Sequence, residues 1–206
     1  MENIIEKLNW RYAVKSFDTN RKLTTKQIDF LKEALNLTAS SLGLQPYKIL
    51  IIEDEETKKK LLPLSYNQNQ ITSASHLFLF CAIKNVDEKY ADNYIEHTAK
   101  TRNATVENIK DYAEMVKGFI RNYDYDQKLS WASKQAYIAL GNLLTVCALE
   151  QIDACPMEGF SPEDYEKTLG LDKLGLKALA LVATGYRSPD DKYQHLKKVR
   201  KPDLFL

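Results

Sequence analysis

Ser130-Trp131-Ala132-Ser133-Lys134-Gln135-Ala136-Tyr137-Ile138-Ala139-Leu140-Gly141-Asn142-Leu143-Leu144-Thr145-Val146-Cys147-Ala148-Leu149 is the stretch that decides the architecture. Trp131, Ala136, Ile138, Ala139, Leu140, Leu143, Leu144, Val146, Cys147 and Leu149 leave little of a helix circumference polar, and a helix apolar nearly all round must be enclosed on several sides. The cover can come from this chain or from a second copy. Gly141 permits close approach of another backbone.

Working outward, the β-favouring runs Tyr47–Ile52, which follows Gln45-Pro46, and Leu77–Ile83 read as strands, as do a short run around Ile152 to Cys155 and the run Leu176 to Thr184. Ile4, Ile5 and Leu8 share a helical face that ends at Asn9-Trp10-Arg11-Tyr12. Thr24-Thr25-Lys26-Gln27 offers a capping box for a second helix, carrying Ile28, Leu31, Ala34 and Leu35 and stopping near Asn36. Further helices are predicted from about Glu55 to Leu62, twice between Val86 and Tyr123, and from about Pro162 to Leu169, with a polar loop from Ser65 to Gln70.

The 206 residues suit one domain, 1–206, and a hydrophobic fraction of 44% is enough for a sizeable core. Lys+Arg 29 against Asp+Glu 28 gives a formal charge of +1, so no global field draws in nucleic acid or an anionic membrane. No apolar run reaches the roughly 18 residues that a membrane span needs, and the N-terminus carries both charge signs where an export signal needs a basic patch and an apolar core. Cys81, Cys147 and Cys155 are odd in number, lack a C-x-x-C pair and sit among apolar neighbours, as buried thiols of a cytoplasmic protein do.

Much familiar chemistry is missing. The seven glycines form neither G-x-G-x-x-G nor a P-loop, His76, His97 and His195 are scattered away from any zinc-ligand spacing, and no serine lies in G-x-S-x-G. Asp54-Glu55-Glu56 and Asp190-Asp191 read as charged, solvated turns.

Four separated stretches together resemble the nitroreductase family of FMN-dependent, NAD(P)H-using enzymes, in the branch of the oxygen-insensitive nitroreductases and dihydropteridine reductases. They are Trp10-Arg11-Tyr12-Ala13-Val14-Lys15-Ser16-Phe17-Asp18; Ser40-Ser41-Leu42-Gly43-Leu44-Gln45-Pro46-Tyr47; Lys134-Gln135 and Gly141-Asn142 followed by Pro156-Met157-Glu158-Gly159-Phe160; and Lys198-Val199-Arg200-Lys201-Pro202. The resemblance implies an α+β fold in which helices flank a mixed, mostly antiparallel sheet, and an entwined homodimer with composite active sites. It also implies bound FMN, with NADH or NADPH as co-substrate and a small conjugated acceptor such as a nitroaromatic or quinone reduced by a ping-pong mechanism.

Residue by residue, the resemblance brings Arg11, Lys198 and Arg200 to the FMN phosphate, which suits the forked guanidinium and the point-charge ammonium. Taken alone, Arg11 reads as a surface ion-pair partner and the tail as a solvated basic end. Lys15 is carried over to the N1/O2 edge of the flavin, where a fixed cation stabilises the charge of the reduced ring. Asn67 maps to the pyrimidine edge and Gln135 to a ribityl or ring contact. Pro156 and Met157 lead to Glu158 and Gly159, whose backbone N–H groups face N5 and O4. Ser40 and Ser41 reach the flavin of the other subunit, and Ser41, Tyr66 and Phe119 line the acceptor cavity.

Three positions depart from the family pattern. Ala13 replaces a serine at the phosphate, leaving Tyr12 or a backbone N–H to substitute; Gln70 stands where relatives carry a second lysine, which predicts a lower flavin potential; and Gly43 replaces a common asparagine. A flavin-binding redox sensor or storage protein, enone reduction, and reductive dehalogenation stay open as alternatives.

Overall fold

The computed structural model describes residues 2–204, so Phe205 and Leu206 after the basic tail lie outside it. Its sheet has the order β1-β2-β4-β3, with β1 Tyr47–Ile52, β2 His76–Ile83, β3 Asp153–Met157 and β4 Leu176–Gly185. All three pairings are antiparallel, and the parallel component is a single bridge between Ala13 and Ala154.

β2 and β4 each have a partner on both sides, so their sequences run apolar on both faces. Alternation sorts the side chains. Leu77, Leu79 and Cys81 face a core with Ile52, Leu61 and Tyr165, whereas Phe78 and Phe80 face Leu31, Leu35, Ala139 and Leu143. Each large side chain fully buried in this way contributes about 1.5–3 kcal/mol.

The helices are α1 Glu2–Trp10, α2 Thr25–Asn36, α3 Glu55–Leu64, α4 Gln70–Ser73, α5 Glu88–Thr101, α6 Lys110–Arg121, α7 Tyr125–Leu149 and α8 Pro162–Leu169. The Thr24 capping box on α2 is present as predicted. α7 starts at Tyr125, five residues before its apolar pattern, because Asp124 and Gln127 form a second capping box that starts the helix on a polar turn. Ala91, Ile95, Ala113, Val116 and Ile120 of α5 and α6 pack on Trp131 and Ala132 at the start of α7. β3 extends through Pro156 to Met157, two residues further than the sequence pattern suggests, since an edge strand tolerates a residue without an N–H.

α7 is only partly covered by its own chain. Ile138 is 50% exposed, and an added Cβ at Gly141 would meet nothing within 4 Å. Ile4, Ile5 and Leu8 of α1, which packs against α7, are exposed as well.

Candidate functional site

The segment after α1 runs along the free edge of β3, bridged at Ala13–Ala154 and again at Phe17–Arg187. Arg187 fixes its course. Its Nε donates to Asp153 Oδ1 at 2.8 Å and its backbone N–H to Oδ2 at 2.8 Å, while the guanidinium lies 4.2 Å from the Trp10 ring centre and 4.6 Å from that of Tyr12. Such stacked, charge-paired contacts favour arginine over lysine.

Asp191 supplies the second anchor. Its Oδ2 accepts the Lys15 and Ser16 N–H groups at 2.7 and 3.1 Å, and its Oδ1 accepts the Tyr193 N–H at 2.9 Å. Burial alone would raise this carboxyl's pKa, but the three peptide donors outweigh it and hold the pKa below the usual carboxylate value. The solvated turn expected at Asp190-Asp191 is therefore half wrong: Asp191 is 3% exposed, because its carboxylate caps a neighbouring segment instead of facing water.

These two anchors bring the ends of the chain together around a cavity of about 310 Å³ lined by Arg11, Tyr12, Ala13, Lys15, Lys197, Lys198 and Arg200, among others. Among the described residues, none of these cations pairs with a carboxylate; Lys198 Nζ instead donates to the carbonyls of Leu8, at 2.8 Å, and Arg11. Burial, then the charges of Arg11 and Arg200, loosen the proton of Lys198, and burial with Arg200 does the same to Arg11. Tyr12 Oη is buried here without a hydrogen-bond partner.

Further along the same edge, Lys15 Nζ and Gln70 Nε2 both approach Cys155 Sγ, at 3.7 and 3.9 Å. Cys155 is fully buried in the apolar core, as expected of all three cysteines, with Lys15 and Gln70 as its polar neighbours at long range. Gln70 is buried beneath Lys15 and lies outside the cavity lining. β3 then delivers Pro156, Met157, Glu158 and Gly159, the last two exposed. The loop before α4 packs across this end, with Gln68 bonded to the Gly159 carbonyl and Asn69 to Ser16 Oγ. Tyr66 and Asn67 stand exposed on that loop with φ of 53° and 55°.

A second group lies elsewhere. The Ser41 N–H donates to Gln135 Oε1 at 2.8 Å, and Ser40 Oγ accepts from the Gln45 N–H at 2.9 Å. Gly43 has φ +70°, and a Cβ there would come 2.2 Å from Tyr94 Oη. Asparagine tolerates the left-handed backbone but not that contact, which accounts for glycine at this position. Phe119 packs on Tyr123 and Trp131 at the start of α7. Gln135 faces Ser41 while Tyr137, about 200° further round α7, faces Glu158, so the two groups lie on different sides of the helix within one chain.

The sequence matches the model of the nitroreductase family over residues 8–186. This chain belongs to the nitroreductase family. A Staphylococcus haemolyticus protein named "Putative NAD(P)H nitroreductase" is 36% identical over 209 residues, covering 98% of this chain and 94% of its relative. Two solved structures carry the same qualifier. The nitroreductase ydfN from Bacillus subtilis aligns with a TM-score of 0.86 at 20% identity, covering 98% of this chain and 96% of that one. A nitroreductase from Exiguobacterium sibiricum, solved in complex with FMN, aligns with a TM-score of 0.82 at 22% identity, covering 97% and 93%.

The structure brings the expected cations Arg11, Lys15, Lys198 and Arg200 to one cavity, and it adds Asp153, Arg187, Asp191, Gln68 and Tyr137, to which the sequence assigned no role at the site. Only Asp191 had a local signal, as the side chain that accepts a hydrogen bond from the backbone two residues on.

Proposed function

We propose that this chain is an FMN-dependent oxidoreductase that uses NADH or NADPH to reduce nitroaromatics, quinones or similar small conjugated acceptors in ping-pong order, as a homodimer with composite sites. One observation carries the reading: Arg11 from the start of the chain and Lys198 and Arg200 from its end share a cavity with no compensating carboxylate among the described residues. Cations held together without acid partners are arranged for an anion of more than one charge, and a phosphate monoester fits.

FMN, when bound, supplies the two-electron carrier between nicotinamide and acceptor. Arg11, Lys198 and Arg200 would hold its phosphate, Lys15 would place a fixed charge beside its ring, and Asn67, Pro156, Met157, Glu158 and Gly159 would border it. The cavity's 310 Å³ is at the lower end of the range for ligand pockets, so further walls are needed to enclose a ring system. A second copy packed on the exposed α1 and α7 face would bring its own Ser40, Ser41, Gln135 and Phe119, which α7 separates from Lys15 and Glu158 in a single chain.

The test is direct. Purified protein is expected to be yellow, to release FMN and not FAD on heating, and to bleach when NADH or NADPH is added without air, regaining colour with a nitroaromatic or quinone. A colourless protein that takes up no added FMN overturns the reading.

A further inference from the structure

β3 ends at Met157, and the two residues beyond it are gripped from both sides by side chains of other elements. On one side, Tyr137 Oη of α7 donates to Glu158 Oε1. On the other, Gln68 Nε2 donates to the Gly159 carbonyl at 2.6 Å and to the Ser65 carbonyl at 3.1 Å. Between them, the Phe160 N–H donates to the Glu158 carbonyl at 2.9 Å, closing a tight turn. Glycine at 159 suits Gln68, since a Cβ would sit 3.0 Å from the Gln68 amide nitrogen. The acceptors of the turn are therefore occupied. Its Glu158 and Gly159 N–H groups, on exposed residues, have no acceptor among the described residues.

Both grips are themselves fixed. Ser65 Oγ is bonded to Tyr165 Oη at 2.5 Å and to the Leu61 carbonyl at 2.9 Å, so the root of the Gln68 loop is anchored in the core. That anchorage holds Tyr66 and Asn67 in left-handed backbone, which is unfavourable for residues with a Cβ. Tyr137 stands mid-helix. Burial, then Glu158, push its hydroxyl pKa up to about 12, so it stays a donor.

We propose that Gln68 and Tyr137 are positioning residues that set the Glu158–Gly159 turn, so that its two free N–H groups form a preorganised donor pair for the ring of the bound flavin. The inference rests on the FMN reading above. Donors already aimed at their target cost no reorganisation when the ring arrives, whereas a loose turn must be ordered at that moment. Neither side chain need touch the flavin.

The experiment titrates FMN-free protein with FMN and with riboflavin, which shares the ring but lacks the phosphate, and compares wild type with Gln68→Glu, Tyr137→Phe and Arg200→Ala. Gln68→Glu keeps the shape but faces the Gly159 carbonyl with a carboxylate. It is expected to weaken FMN and riboflavin by the same factor, about tenfold or more. Arg200→Ala is expected to weaken FMN by a similar factor and leave riboflavin within about twofold, because only the phosphate is affected. Tyr137→Phe is expected to weaken both flavins, and to add nothing further once Glu158→Ala is present, because it acts through that carboxylate. If Gln68→Glu does not fold, Gln68→Asn, too short to reach Gly159, gives the same pattern. The inference is overturned if wild type binds FMN and the Gln68 and Tyr137 variants stay within twofold for both flavins, if their losses are confined to FMN, or if the Tyr137 and Glu158 losses add. A wild type that binds neither flavin overturns the FMN reading instead.

Discussion

Replacing Asp191 by alanine removes the acceptor of three peptide N–H groups, those of Lys15, Ser16 and Tyr193. A buried donor left without a partner costs about 1–3 kcal/mol. Lys15 and Tyr193 are exposed, so water can serve their N–H groups; the orphaned Ser16 N–H is left to account for a net loss of about 2 kcal/mol. For a chain of this length that lowers the melting temperature by roughly 4–8 °C. The difference should also depend on pH in one direction only. Because the folded pKa is held below the unfolded value of about 3.9, the stabilisation is fully present above that value and lost as pH falls through the folded pKa. Thermal melts of wild type and Asp191→Ala at pH 7, repeated towards pH 3, should show curves that are parallel at neutral pH and converge in acid. A variant melting within about 2 °C of wild type at pH 7, or a gap that widens in acid, would refute the assignment of Asp191 as the tie between tail and opening segment.

Arg11→Ala and Lys198→Ala should each weaken FMN about 10–100-fold by fluorescence titration, the range expected for one charged hydrogen bond, with a flatter salt dependence than wild type; unchanged affinity in both would place the phosphate elsewhere. Gly43→Ala should lose about 2 kcal/mol or more, because it meets both a left-handed φ and Tyr94 Oη, and Tyr94→Phe should restore part of that in thermal melts. Ile138→Asp on the open face of α7 should convert a dimer to monomers in sedimentation and abolish flavin retention; a dimer that persists would move the interface away from that face.

The parts of the fold that repeat along the chain were legible in the sequence. Continuous β-favouring apolar runs marked β1, β2 and β4, the apolar circumference marked α7, and Thr24 with Gln27 marked the start of α2, because each extends over several residues or follows a local geometric rule. The cations Arg11, Lys198 and Arg200 were legible only through family resemblance, since a basic tail and a lone arginine carry no periodic signal. The features that were missed are pairings between distant single residues. Arg187 with Asp153 spans 34 positions, Gln68 with Gly159 spans 91, and Lys15 with Asp191 spans 176. Polar side chains of this kind are specified by the tertiary structure that brings them together, and composition assigns them by default to the surface.

Asp191 also explains how a cavity of like charges persists before any anion enters it. Arg11, Lys198 and Arg200 repel one another, and after β4 ends at Gly185 the chain that brings the last two into place has only the short turn Lys192–His195 as regular structure. Such a segment would drift away from its own charge unless it were tied. Asp191 makes the tie on the side of the tail, and Arg187, sandwiched by Trp10 and Tyr12, makes it on the side of the opening segment. Stability given up to charge repulsion at the cavity is thus offset a few residues away, in contacts that the ligand does not touch. An anion that relieves the repulsion should therefore stabilise the whole fold, by an amount that grows with its concentration relative to its Kd.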